Sequence, residues 1–84
     1  MQVHLTSTQI KAARAALGIT VAYVAEQTTI GTATLKRYEA TEGVPTARKG
    51  HLSTLKAFYE SAGIEFIGTP DDGPGIRLRP KPTP

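Results

Sequence analysis

Eighty-four residues suffice for one small domain, which buries only about 60% of the surface its unfolded chain exposes; a second subunit would enlarge that core. The absence of cysteine excludes a disulfide framework and a thiolate metal site, and no apolar run approaches the roughly 20 residues that span a bilayer. The net charge of +3 is unevenly placed: residues 1–59 hold seven Lys or Arg against three Glu, and residues 60–84 hold three against four acidic residues, so the positive excess lies on the N-terminal part, as a phosphate-binding surface requires.

Met1 to Leu5 reads as an extended lead-in. MQVHLTSTQIK lacks the charged start and long apolar stretch of a secretion signal, so a cytoplasmic protein of bacterial or phage type is expected. Thr6 with Gln9 has the spacing of a capping box, and a helix follows as TQIKAARAALG. Its buried stripe is Ile10, Ala13 and Leu17, and Gly18 stands where a left-handed cap is wanted. Ile19 plugs the loop, and Thr20 caps the next helix with its hydroxyl near free N–H groups, where a phosphate can bind.

The stretch VAYVAEQTTIGTATLKRYEA splits at helical period into Val21–Thr28 and Thr32–Ala40, joined by a short turn. Val24, Ala25, Ile30, Leu35 and Tyr38 point inward. Ala25 is small where the two helices cross. Thr32, Thr34, Lys36 and Arg37 remain outside, polar and basic. This is the pattern of a helix-turn-helix, whose second helix enters the DNA major groove. Gly31 at the N-cap of that helix brings no side-chain oxygen.

Thr41 to Gly50 is a loop punctuated by Gly43 and Pro45. A fourth helix follows over HLSTLKAFYESAG, with Leu52, Leu55, Phe58, Tyr59 and Ala62 on its apolar face. The period then changes. Ile64 to Ile67 and Ile76 to Arg79 alternate around GTPDDGPG, which is dense in turn residues. A β-hairpin is predicted, with Ile64, Phe66, Ile76 and Leu78 on the buried face and Glu65 opposite Arg77 on the other. A lone hairpin is marginal in water, so these four apolar residues are the expected dimer interface. Pro80 to Pro84 read as a disordered tail. The predicted organisation is a helix-turn-helix domain over 1–63, a hairpin over 64–79 and the tail over 80–84.

His4 and His51 are too far apart in sequence to suggest a metal pair, and Asp71 and Asp72 are turn formers. No nucleophile is paired with a base, and no glycine loop cradles a phosphate. No enzyme, cofactor, metal or small-molecule ligand is therefore expected.

Leu17-Gly18-Ile19-Thr20, Val24-Ala25-Glu26, Ile30, Leu35, Tyr38 and Glu39 together resemble the phage repressor and Cro type of helix-turn-helix regulator, the xenobiotic response element family. The resemblance runs from Leu5 to Ala62, and the GIEFIGTPDDGPGIRLR end is similar to small members of that family. It implies a mainly α bundle of four or five helices with a C-terminal β-hairpin. It implies base contacts from Thr32, Ala33, Lys36 and Arg37, and phosphate contacts from Thr20, Tyr23, Thr34, Arg48 and Lys49. It also implies a structural salt bridge between Arg14 and Glu39. The sequence departs from the family pattern at Thr29, where glycine is usual in the turn, at Val21, where glutamine often braces the base reader, and at Gly31, where Ser or Thr caps.

The expected function is that of a transcription regulator binding double-stranded DNA as a two-fold homodimer on an inverted repeat, that of a mobile element or its own promoter. The alternative is a protein-interaction module, an antitoxin or an inhibitor of another regulator.

Overall fold

The computed structural model describes residues 4–79; Met1 to Val3 of the lead-in and the proposed tail over 80–84 lie outside the described residues. The elements run α1 (Ser7–Leu17), α2 (Val21–Thr28), α3 (Thr32–Ala40), α4 (His51–Ser61), β1 (Ile64–Thr69) and β2 (Asp72–Leu78). No helix among the described residues is long and apolar enough to cross a membrane.

α1 begins where its capping box closes. The Gln9 N–H donates to the Thr6 hydroxyl at 3.1 Å, and the Thr6 N–H donates to the Gln9 side-chain oxygen at 2.9 Å, so two otherwise orphaned donors are satisfied reciprocally. The helix ends at Gly18, whose φ of 66° is left-handed and whose N–H returns to the Ala15 carbonyl. Ile10 and Ala13 on its inner side are fully buried.

α2 and α3 have the expected limits. The turn between them is held from inside, because the Thr28 hydroxyl donates to the Val24 carbonyl at 2.7 Å and accepts the Ile30 N–H at 3.3 Å. Ile30, Val24, Leu35 and Tyr38 then enter one core with Leu55 and Tyr59 of α4. Thr29 takes the left-handed conformation itself, with φ 61° and its N–H bonded to the Ala25 carbonyl at 2.9 Å. It is the one non-glycine residue with positive φ among the described residues. A β-branched side chain held there costs roughly 1–2 kcal/mol, partly offset because glycine loses more chain entropy on folding. Thr29→Gly should therefore raise stability by about 0.5–1 kcal/mol, a gain of a few degrees in Tm for a domain this size. An unchanged or lower thermal midpoint would show that the turn carries no strain.

The hairpin is antiparallel, with Ile64 opposite Leu78, Glu65 opposite Arg77 and Phe66 opposite Ile76. Its strands are longer than expected. The ladder continues to Thr69 opposite Asp72, so most of GTPDDGPG is strand and the turn is Pro70-Asp71. A bulge between Ile67 and Thr69 absorbs the mismatch. Gly68 is required there: a Cβ would strike the Gly73 carbonyl of the opposing strand.

The mainly α bundle of four or five helices is corrected by these elements. Among the described residues there are four helices and a two-stranded sheet, with half of the residues helical and about a sixth in strands. The result is a small mixed α/β domain. The physical reason is that the hairpin is no appendage. β1 packs on α4 and β2 on α1, and Ile64, only 2% exposed, belongs to the same core as the helices. The Gln9 amide Nε2 donates to the Ile67 and Gly75 carbonyls, 3.0 Å each, tying the start of α1 to both strands. The radius of gyration is 12.0 Å, against about 12 Å for a compact chain of this length, as a hairpin folded onto its helices requires.

Of the four hairpin residues expected on the buried face and assigned to a dimer interface, two depart from that expectation, Leu78 in its exposure and Ile64 in what buries it. The Ile64 side chain is used up in the core of its own subunit, and Leu78 is 54% exposed rather than buried. Phe66 and Ile76 are half-buried against the core, Phe66 edge-on to the Tyr59 ring with centroids 6.3 Å apart. The partner that a marginal hairpin needs is thus supplied within the chain.

Tyr59 is fully buried and its hydroxyl has no hydrogen-bond partner among the described residues. Burial pushes this hydroxyl up to about 12, with the Glu39 charge adding and the Arg14 charge opposing. Below pH 10 the proton is bound in both folded and unfolded chains. Between about 10 and 12 the unfolded chain releases it and the folded one does not, so stability falls as pH rises through that window. The loss reaches about 1.4 kcal/mol at pH 11, and Tyr59→Phe should abolish it while raising neutral-pH stability by ~1 kcal/mol through removal of an unpaired buried hydroxyl. Urea unfolding of both proteins at pH 8 and pH 11 checks this; parallel losses in the two would sink it.

Candidate nucleic-acid interface

The Arg14–Glu39 contact sets the angle between α1 and α3. Arg14 Nε lies 2.8 Å from one Glu39 oxygen and its Nη2 2.9 Å from the other, a two-bond fork. The remaining guanidinium nitrogen donates to the Ile19 carbonyl at 3.1 Å, which holds the α1–α2 loop as well. Glu39 is nearly buried, with a side chain 9% exposed, and Arg14 is 24% exposed. The hydrogen bond to Glu39, against the opposing cost of burial, holds the Arg14 guanidinium above its ordinary range.

That brace orients α3. Leu35 and Tyr38 face the core, so helical geometry turns Thr32, Ala33, Lys36 and Arg37 outward, and all four are exposed. Thr34 lies on the flank and is half-buried. Gly31 caps the helix with no side-chain hydrogen bond. Lys36 and Arg37 diverge. Lys36 leans toward α1 and α2, bounding a shallow depression of about 330 Å³ with Lys11, Arg14, Val21, Glu39 and Ala40. Arg37 leans the other way, its guanidinium 5.7 Å from the centre of the Tyr38 ring.

The residues assigned to phosphate surround this face. The Thr20 hydroxyl is exposed and accepts the Tyr23 N–H at 3.0 Å, capping α2, so its own proton remains available to an outside acceptor. Tyr23, one turn on, is 47% exposed. Arg48 and Lys49 are exposed in the turn before α4. Gly50 in that turn has φ 87° and ψ −16°, and the His51 N–H donates to the Arg48 carbonyl at 3.0 Å, as the third residue of a type II turn requires.

Two contributors escaped the sequence reading. Lys11 joins Lys36 at the depression, and its spacing of three from Arg14 on one helix is the signal that places both on one face. Tyr38 was read only as core. Its hydroxyl in fact lies 2.7 Å from His51 Nδ1 and accepts the Arg48 N–H at 3.2 Å. No local pattern announces that contact. Among the described residues no group of three His, Cys, Asp or Glu is arranged to hold a metal ion.

Comparison of the chain with protein-family models, with curated proteins and with solved structures finds no match.

Proposed function

We propose that this chain is a transcription regulator that binds double-stranded DNA sequence-specifically, with α2 and α3 acting as a helix-turn-helix and α3 lying in the major groove. The observation that carries this reading is the outer face of α3. Thr32, Ala33, Lys36 and Arg37 are exposed together on a helix that is fixed to the core by Leu35, Tyr38 and Glu39. The resemblance of the Leu17–Glu39 motif to phage-repressor regulators points the same way. In this reading Arg37 donates two bonds to a guanine edge, and Thr32 and Ala33 meet thymine methyl groups. Lys36 serves the base edges or the nearest phosphate, and Thr20, Tyr23, Thr34, Arg48 and Lys49 hold the backbone on either side. Lys11 adds charge beside Lys36. A single α3 reads only a few base pairs, so the protein acts as a two-fold pair on an inverted repeat, with α3 helices about 34 Å apart.

The test is fluorescence anisotropy with a labelled duplex selected on the protein from a random pool, and a scrambled duplex beside it, at several salt concentrations. Preference for the selected duplex, with affinity falling linearly in log–log salt, supports the reading. Equal weak binding to both, or no enrichment in the selection, removes it. The competing reading, a protein-interaction module, draws on the exposed Leu78 at the end of the hairpin. It requires loss of partner capture by Leu78→Glu and indifference to Arg37→Ala.

A further inference from the structure

We propose that Tyr38 is a positioning residue for the backbone grip, holding Arg48 at the edge of the surface formed by α3; this rests on the DNA-binding reading given above. The motive is that both backbone groups of Arg48 are tied down by this one corner of the core. Its N–H donates to the Tyr38 hydroxyl at 3.2 Å, and its carbonyl accepts the His51 N–H at 3.0 Å. The hydroxyl lies 2.7 Å from His51 Nδ1. With the Tyr38 proton given to Nδ1, the phenol oxygen keeps its lone pairs for the Arg48 N–H. The rings of Tyr38 and His51 meet edge to face, with centroids 5.8 Å apart.

Tyr38 is itself immovable. It is fully buried, and it sits on α3 between Arg37 and Glu39, the latter locked to Arg14. The Arg48 backbone is thereby referenced to α3 through its N–H, as well as to its own turn through its carbonyl. Arg37, over the ring of the same tyrosine, and Arg48, at its hydroxyl, become two cations set from a single side chain. The ring serves the first and the hydroxyl the second, so one atom separates the two roles. Holding Arg48 in advance spares the entropy of ordering a loop residue when the phosphate arrives.

Tyr38→Phe removes the oxygen and keeps the ring. For the selected duplex, affinity should fall several-fold and the slope of log K against log salt should become shallower by about one, the signature of one lost phosphate contact. The ratio of affinities for selected and scrambled duplexes should stay as in the parent protein, because Arg37 is undisturbed. His51→Ala should shift the slope in the same direction by less. The decisive comparison is a double-mutant cycle with Arg48→Ala. If Tyr38 acts through Arg48, the double variant binds no more weakly than Arg48→Ala alone. Additive losses, or an unchanged salt slope in a folded Tyr38→Phe protein, overturn the proposal while leaving DNA binding intact. A parent protein that prefers no duplex overturns both, and hydrogen exchange then still reports whether the Arg48 N–H loses protection in Tyr38→Phe.

Discussion

Arg14→Ala should cost the folded state about 2–3 kcal/mol, below the ~3–5 kcal/mol of a fully buried pair because Arg14 remains partly exposed. The loss is large because Glu39 stays behind. Its carboxylate, nearly enclosed, would lose both hydrogen bonds from the guanidinium. The Ile19 carbonyl loses its donor as well. For a domain whose whole stability is of order 5–10 kcal/mol, such a change removes a large fraction of it. Urea unfolding followed by circular dichroism measures it directly. Arg14→Lys is the informative companion, because an ammonium keeps the charge and gives up the fork. It should recover only part of the loss. A variant Arg14→Ala with a near-parental urea midpoint would show that the contact is ornamental and that α3 is oriented by apolar packing alone.

Arg37→Ala should have the largest effect on binding and only a small one on folding. Arg37 is exposed, and its one contact with the core is the approach to the Tyr38 ring, worth ~0.5–1 kcal/mol at an exposed site. In the groove the same side chain reads a base, and a good two-bond contact discriminates by about 1–3 kcal/mol. The ratio of affinities for selected and scrambled duplexes should therefore fall about 5- to 150-fold, with a loss of at most a few degrees in thermal midpoint. Lys36→Ala distinguishes the neighbours. If Lys36 touches phosphate, its loss weakens both duplexes alike and lowers the salt slope by about one. An unaltered affinity ratio in Arg37→Ala would take base reading away from this residue.

The helical part of the molecule was open to sequence reading because its signals are local. Thr6 and Gln9 are three residues apart, Gly18 follows the last apolar position of α1, and Leu35 with Tyr38 marks the inner side of α3. Each is a short-range consequence of helical geometry. The hairpin and its Glu65–Arg77 register are legible from alternation, but its anchoring to the helices is not, for the converse reason. Its stability comes from Gln9, at the far end of the chain, and from Ile64 joining a core that the helices build. Nothing near residue 64 records either. The turn is shorter than the density of Gly, Pro and Asp suggests, because Gly68 serves the close strand approach at the bulge and Gly73 a left-handed φ of 61° within β2. The same limit applied at the surface. The exposure of Lys36 and Arg37 followed from period, but their divergence, and the link from Tyr38 to Arg48, depend on how the loop returns across α3.

The Gln9 bridge also dictates an order of assembly. Its amide closes loops of 58 and 66 residues, whereas the helix caps close over three or four. Closing long loops is entropically costly and slow. The Gln9 bridge and the docking of β2 on α1 are therefore expected to close after the three-helix corner around Arg14, Ile30 and Tyr38. Until they close, β1 can already meet the neighbouring α4, but β2 has no helix behind it. That late intermediate is the species most prone to self-association during refolding. Gln9→Ala should populate it, slowing the final phase and making recovery from denaturant depend on protein concentration.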